Sequence, residues 1–265
     1  MYPALQLSLK YLRYYLSASN GKGHGIHSPF IFDLVTRVIM DRKQYPEYER
    51  VEALRSALKK DSSLLQVEDM GAGSARMKSS ARSIRSIVKN SAKPKKYGQL
   101  LFRMARFYKP ESVLELGTSL GITTSYFALA NPGNAVITLE GAKAVADVAA
   151  RNFQRLSIDN VVITRGNFDD TLPQTLAHLH TIDMVFIDGN HRKEPTLHYF
   201  DLLVAEHNND TILVFDDIHW SREMEVAWKE IQEHPSVRCT VDLFFIGIVL
   251  FRREFFEKQH FTIRF

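Results

Sequence analysis

The sequence predicts an α/β fold: a doubly wound sheet of seven strands, mostly parallel with a terminal antiparallel strand, behind an N-terminal helical extension. Three observations predict it. From Ser112 onward, short apolar runs alternate with helical patterns, the order that builds a parallel sheet. The first run passes through a turn, Glu115-x-Gly117-x-Ser119-x-Gly121, straight into a helix. Five successive runs also end in, or are closely followed by, a carboxylate.

The elements before this region are helical. Residues 2–19 set Leu5, Leu7, Leu9, Leu12 and Leu16 among tyrosines. The glycines of the next segment break that helix. Ser28 and Pro29 then form an N-cap and first-turn pair, opening a second helix from Pro29 to Met40. His24 and His27 read as turn residues, because no cysteine or third histidine completes a metal site nearby. A third helix runs from Pro46 to Lys60 with Val51, Leu54 and Leu58 on one face. Leu64 to Ser74 imitates the later glycine turn, with Glu68, Asp69, Gly71 and Gly73, but no second strand with an acidic end follows at the right distance. It reads as a loop.

Residues 71–109 carry eleven Lys and Arg and no Asp or Glu. Such a run makes either a solvated helix face or a positive rim that draws an acidic or phosphorylated acceptor. It ends in a helix from Tyr97 to Tyr108, with Leu100, Leu101, Met104 and Phe107 as its core face.

From there the pattern is regular. Strands are predicted at 112–116, 135–139, 161–164, 184–187 and 211–215, with helices at Ile122 onward, 142–156, 173–179, 194–203 and 221–234. Two last runs, Arg238 to Phe245 and Ile246 to Arg252, form an antiparallel pair. The domains expected are an extension or lid over 1–94 and a cofactor-binding domain over 95–265.

The bulk numbers exclude several classes. A 265-residue chain with 45% hydrophobic and 24% charged residues is that of a globular protein. A net charge of +4 does not by itself imply nucleic acid. The one cysteine, Cys239, excludes an internal disulfide and fits a reducing compartment. The N-terminus lacks the order of a signal peptide, and the longest apolar run, Leu243 to Phe251, is too short to span a bilayer. The expected location is cytoplasmic.

Right-handed crossovers place every parallel strand's carboxyl end on one edge. That edge should carry Glu115, Glu140, Asp169, Asp188, Asp216 and Asp217. Asp169 and Asp170 also suit a helix N-cap. Glu140 closes the second strand just over twenty residues after Gly117, where a carboxylate accepts hydrogen bonds from the ribose of a nucleotide-like cofactor.

The turn resembles motif I of class I S-adenosylmethionine (SAM)-dependent methyltransferases, acidic-x-Gly-x-Gly-x-Gly, with Ser119 at the middle glycine. The resemblance runs from about Lys95 to Arg253, including the terminal antiparallel strands, which dinucleotide-binding domains lack. Within that superfamily Gly98-Gln99-Leu100-Leu101 is similar to a motif of the catechol and caffeoyl-CoA O-methyltransferase group. The resemblance implies a Rossmann-like fold and a SAM-dependent methyltransferase that O-methylates a small or acidic acceptor. It implies cofactor contacts at Glu115, Leu116, Gly117, Thr118, Ser119, Gly121, Glu140, Asn167, Phe168, Asp169 and Asp188. The group's divalent cation, Mg²⁺, maps onto Asp188, Asp216 and Asp217, with Asp where the group has Asn. The group's lysine base maps onto His191; His219 is the second candidate base, and Asp188 completes the catalytic set. Trp220 is a candidate pocket wall, although core packing is the commoner use of such a residue.

Two other classes compete. A non-catalytic SAM-binding or interaction protein would bind the cofactor without turnover. A dinucleotide-dependent oxidoreductase would need a third glycine and free N–H groups for pyrophosphate. Neither a base-amine motif nor a Pro-Cys nucleophile points to nucleic acid as the acceptor. The partners expected are a small-molecule acceptor and, through the N-terminal helices, a second copy in a homodimer.

Overall fold

The computed structural model describes residues 1–19, 28–67 and 81–265. His24, His27, Gly71 and Gly73, together with Glu68, Asp69, Arg76 and Lys78, lie outside the described residues.

In chain order the elements are α1 (Ala4–Ser17), α2 (Pro29–Asp33, running on as a π-helical turn through Ile39), α3 (Pro46–Leu58), β1 (Leu64–Gln66), β2 (Ala81–Ser83), α4 (Ile84–Ser91) and α5 (Lys95–Tyr108). Then follow β3 (Ser112–Leu116), α6 (Ile122–Ala130), β4 (Ala135–Glu140), α7 (Lys143–Arg155), β5 (Val161–Arg165), α8 (Phe168–Leu176), β6 (Met184–Ile187) and α9 (Lys193–Ala205). The chain closes with β7 (Ile212–Asp216), α10 (Arg222–Glu233), β8 (Cys239–Asp242), β9 (Ile246–Leu250) and β10 (Gln259–Thr262). The arrangement is Rossmann-like, with mostly parallel strands alternating with helices.

The chain divides into two compact units, one of residues 42–178 and one of residues 1–41 with 179–265. In the first, β3, β4 and β5 pair in parallel. The register sets Leu116 beside Leu139 and Glu140 beside Arg165, so the carboxyl ends of these strands are level. Helices α3, α4 and α5 belong to this unit. Tyr45 and Tyr48 of the α3 region, Phe102 of α5 and Tyr126 of α6 form a chain of ring contacts with centroids 5.0–5.9 Å apart. Tyr126 donates to Glu52 at 2.8 Å. Gly98 lets α5 approach α6, since a Cβ there would stand 2.5 Å from the Tyr126 ring. Not all of the basic stretch is solvated. Arg103 is buried beside Tyr48, and Arg106 stacks over the Tyr45 ring.

In the second unit β6 and β7 are parallel, and β9 runs antiparallel to both β7 and β8. The sequence predicts that antiparallel pair. It misses β10, which adds in parallel to β8. Gln259–Thr262 is a short polar run that pairs as a strand where β8 offers it an edge. Gly247 of β9 lies against Trp228 of α10, where a Cβ would come 2.6 Å from the indole. Helix α1 seats Tyr14 and Ala18 against Phe244, with Leu7, Tyr11 and Phe245 around them.

One helix boundary differs. The expectation began a helix at Pro173, but α8 starts at Phe168 and Pro173 lies inside it. Asn167 is the N-cap and accepts from the Asp169 N–H. Asp169 and Asp170 occupy the first turn, where the helix dipole favours them, rather than the cap itself. Among the described residues no helix is long and apolar enough to cross a membrane.

Candidate functional site

The turn after β3 is built on three left-handed residues within five: Gly117 (φ 108°), Ser119 (φ 48°) and Gly121 (φ 78°). Gly121 is required twice over, by its φ and because a Cβ would stand 2.6 Å from the Phe153 ring of α7. The turn's N–H groups are largely committed. Those of Gly117 and Thr118 donate to Leu139 O, that of Gly121 to Thr118 O, and that of Ser119 to Glu140 Oε2 at 2.8 Å. A pyrophosphate cradle needs such groups free, so the turn suits a cofactor without phosphates.

Two carboxylates support this turn differently. Glu115 is fully buried, and its Oε2 accepts from Thr124 Oγ1 at 2.5 Å and Thr138 Oγ1 at 2.6 Å. It ties β3 to α6 and β4, and Thr118 joins the same cluster through Thr138 at 2.6 Å. Leu116 is buried as well. These residues shape the turn from beneath. Glu140 closes β4 with one oxygen on the Ser119 N–H and the other on the Ala142 N–H at 2.9 Å. Burial raises its pKa, against the lowering effect of backbone N–H bonds from Ala142, Ser119 and Gly141. Each carboxylate oxygen keeps a second lone pair for a ribose hydroxyl. Asn167, Phe168 and Asp169 follow β5, the strand beside β4; Asp169 is exposed. This end of the unit fits a nucleoside cofactor.

The second unit brings a different group together. Parallel pairing sets Ile187 beside Phe215, so the next residues, Asp188 and Asp216, emerge side by side. Asn190 takes a left-handed φ of 55° and turns the chain back. His191 Nε2 then lies 3.4 Å from Asp188 Oδ1. Asp188, His191 and Asp216 each bring one ligand-type atom within 4.8 Å of the other two. No other such group of three occurs among the described residues. Asp217 is not part of it. Its φ is 54°, and its N–H donates to Phe245 O at 2.6 Å. The left-handed residue turns the chain just where the second carboxylate of the pair begins.

His219 is placed elsewhere. Its Nε2 lies 2.7 Å from Asp242 Oδ2 and its Nδ1 lies 3.1 Å from Glu225 Oε1. Burial alone would lower its pKa, but the two carboxylates outweigh burial and hold it above the ordinary histidine value. Both ring nitrogens are thus engaged. Glu225 also accepts from Tyr2 at 2.7 Å and Lys10 at 2.9 Å, so His219 belongs to the network that fastens α1. Trp220 is half-buried, and its carbonyl accepts from the Tyr2 N–H. Sequence reasoning missed Asn190 and the acidic partners of His219. The Gly189-Asn190 pair is a turn signal that points to the first; Glu225 and Asp242 carry no comparable local mark.

Residues 114–218 match the family model of a methyltransferase domain. Over 124 residues the chain is 34% identical to a catechol O-methyltransferase of Niastella koreensis, a match covering 46% of this chain and 55% of that relative. The chain thus spans about half the length of the curated relative it matches. Similar solved structures include an O-methyltransferase of Bacillus cereus in complex with S-adenosylhomocysteine (SAH), with TM-score 0.56, 19% identity and coverage of 80% of this chain and 93% of that one. An O-methyltransferase of Streptomyces achromogenes in complex with SAM has TM-score 0.52 and 20% identity, covering 62% and 82%. The SAH-bound methyltransferase of Podospora anserina has TM-score 0.55 and 14% identity, covering 80% and 99%. At these identities the likeness is one of fold.

Proposed function

We propose that this protein is a SAM-dependent O-methyltransferase acting on a small-molecule acceptor. The observation that carries the reading is Glu140, a half-buried carboxylate held from both sides by backbone N–H groups at the end of β4, beside a turn whose own N–H groups are largely committed. Catechol O-methyltransferase similarity in the matching region supports the reaction class.

In this reading Glu140 accepts from the ribose, the Gly117–Gly121 turn lies against the methionine end, and Asn167, Phe168 and Asp169 border the adenine. Glu115 and Leu116 hold the turn in shape. When bound, SAM supplies an electrophilic methyl group. The chain's own work is to place the acceptor oxygen in line with it and to remove the hydroxyl proton. We assign the second task to the Asp188–His191–Asp216 group. Two carboxylates and an imidazole also fit a divalent cation, which would lower the pKa of the acceptor hydroxyl. His219, with both nitrogens engaged, serves the fold in this reading.

Residues 1–94 would select the acceptor, and the exposed cations Arg85, Lys89 and Lys95 favour an acidic one. The proposed location is the cytoplasm. Self-association would use Leu5, Leu9, Leu12 and Leu16, which are exposed on α1 at the spacing of a helix-pairing seam. Calorimetric titration with SAH, with NADH as control, tests the reading. Micromolar SAH binding, no NADH binding, and at least a tenfold loss of SAH affinity in folded Glu140→Ala are expected. NADH binding, or an unchanged Glu140→Ala, would overturn it.

A further inference from the structure

The loop after β6 delivers a nitrogen donor to a pair of carboxylates. His191 Nε2 is 3.4 Å from Asp188 Oδ1, and Asp216 completes the group within 4.8 Å. Ligands at neighbouring positions around an ion, each about 2.0–2.2 Å from it, stand about 3 Å apart. Only a small closure separates this group from a coordination triangle. The loop holds the imidazole there. Arg192 donates through its N–H to Asn190 O at 2.6 Å and through its side chain to Asn190 Oδ1 at 3.1 Å. Asn190 in turn donates to Tyr199 OH of α9 at 3.2 Å. Two of the three donors are half-buried and Asp216 is buried, so the group is shielded without being closed to an incoming ion.

We propose that His191 is a ligand of a divalent transition-metal ion at Asp188 and Asp216, and that this nitrogen selects such an ion over Mg²⁺. Mg²⁺ takes oxygen ligands and keeps its waters. Imidazole favours the later first-row ions, in the order Mn²⁺ < Fe²⁺ < Co²⁺, with Zn²⁺ also well served. Two carboxylates neutralise the ion's charge, and three protein ligands leave positions open for water or acceptor oxygens. Asp217, turned off the group by its left-handed backbone, is not needed as a ligand. An imidazole that gives its lone pair to an ion has none left for a proton, so in the loaded protein His191 is not the general base. The role of this ion in acceptor activation rests on the function proposed above; its binding does not.

The test is metal binding by the full chain, stripped with EDTA and free of cofactor and acceptor. Co²⁺ and Mg²⁺ are titrated by calorimetry, with visible absorption reporting the Co²⁺ environment. One Co²⁺ should bind at least tenfold more tightly than Mg²⁺. His191→Ala should weaken Co²⁺ by about 10–100-fold, change its absorption, and leave Mg²⁺ within about twofold. His191→Gln, which restores an oxygen donor, should narrow the preference for Co²⁺. Asp216→Asn should lose both ions, and thermal unfolding checks that each variant is folded. Equal affinity for the two ions, or unchanged Co²⁺ binding in folded His191→Ala, would overturn the proposal. SAH binding measured on the same samples separates the two readings: normal SAH affinity without Co²⁺ preference sinks the metal assignment alone, and Co²⁺ selectivity without SAH binding sinks the methyltransferase alone.

Discussion

Glu140 and Asp216 occupy equivalent places in their own units, each the last residue of a parallel strand, yet their surroundings give them opposite chemistry. Glu140 faces N–H groups, and both of its oxygens are fixed by backbone donors. Asp216 faces another carboxylate and an imidazole. A carboxylate among donors becomes a rigid acceptor for hydroxyl groups. A carboxylate among other lone pairs becomes a place for a cation or a proton. Strand-end position alone therefore does not assign a role; the left-handed residues beside the strand do. Ser119 and Gly121 turn the backbone so that an N–H meets Glu140, whereas Asn190 and Asp217 bring His191 in and leave Asp217 out.

The largest effect should come from breaking this difference at its second side. Asp216→Ala should lower kcat/KM by about 100-fold or more while SAH affinity changes less than threefold. Equal losses of SAH affinity in Asp216→Ala and Glu140→Ala would show that the two carboxylates do one job and would end the comparison. Next in size is the support beneath the turn. Glu115→Ala strands the Thr124 hydroxyl, takes one of two partners from that of Thr138 and should cost about 3 kcal/mol of stability, read from denaturant unfolding. A loss of SAH affinity with no loss of stability would instead make Glu115 a direct contact.

The smallest effect sharpens the contrast between the two histidines. The raised folded-state pKa of His219 contributes stability that is fully present below the ordinary value of about 6.5 and is lost as pH rises through the folded value. Tm should therefore fall as pH rises above about 6.5. In His219→Gln that part of the pH dependence should vanish, and kcat should stay near that of the parent. A wild-type pH profile in His219→Gln would remove the histidine from the α1 fastening.

Much of this was legible in the sequence because the signals are local. Alternation of strand and helix, the Glu115–Gly121 turn and the distance from Gly117 to Glu140 all lie within a few tens of residues. The same locality explains the errors. Polar β10 carries no apolar pattern and exists because β8 presents an edge to it. Pro173 looks like a helix start, yet Asn167 caps the helix six residues upstream of it. His219 reads as the second candidate base two residues after an acidic pair; its contact with Asp242 could not be read there, because Asp242 lies twenty-three residues further on and reaches it only through packing.

By itself, then, the sequence determined the alternation of strands and helices from Ser112 onward, the glycine turn after β3 and the carboxylates that end the strands, since these follow from spacing and backbone preference along the chain. The tertiary structure decided which side chains meet. It grouped His191 with Asp188 and Asp216, enclosed His219 between Asp242 and Glu225, and left Asp217 outside, because register and left-handed turns set side-chain direction and neither is written in residue type alone.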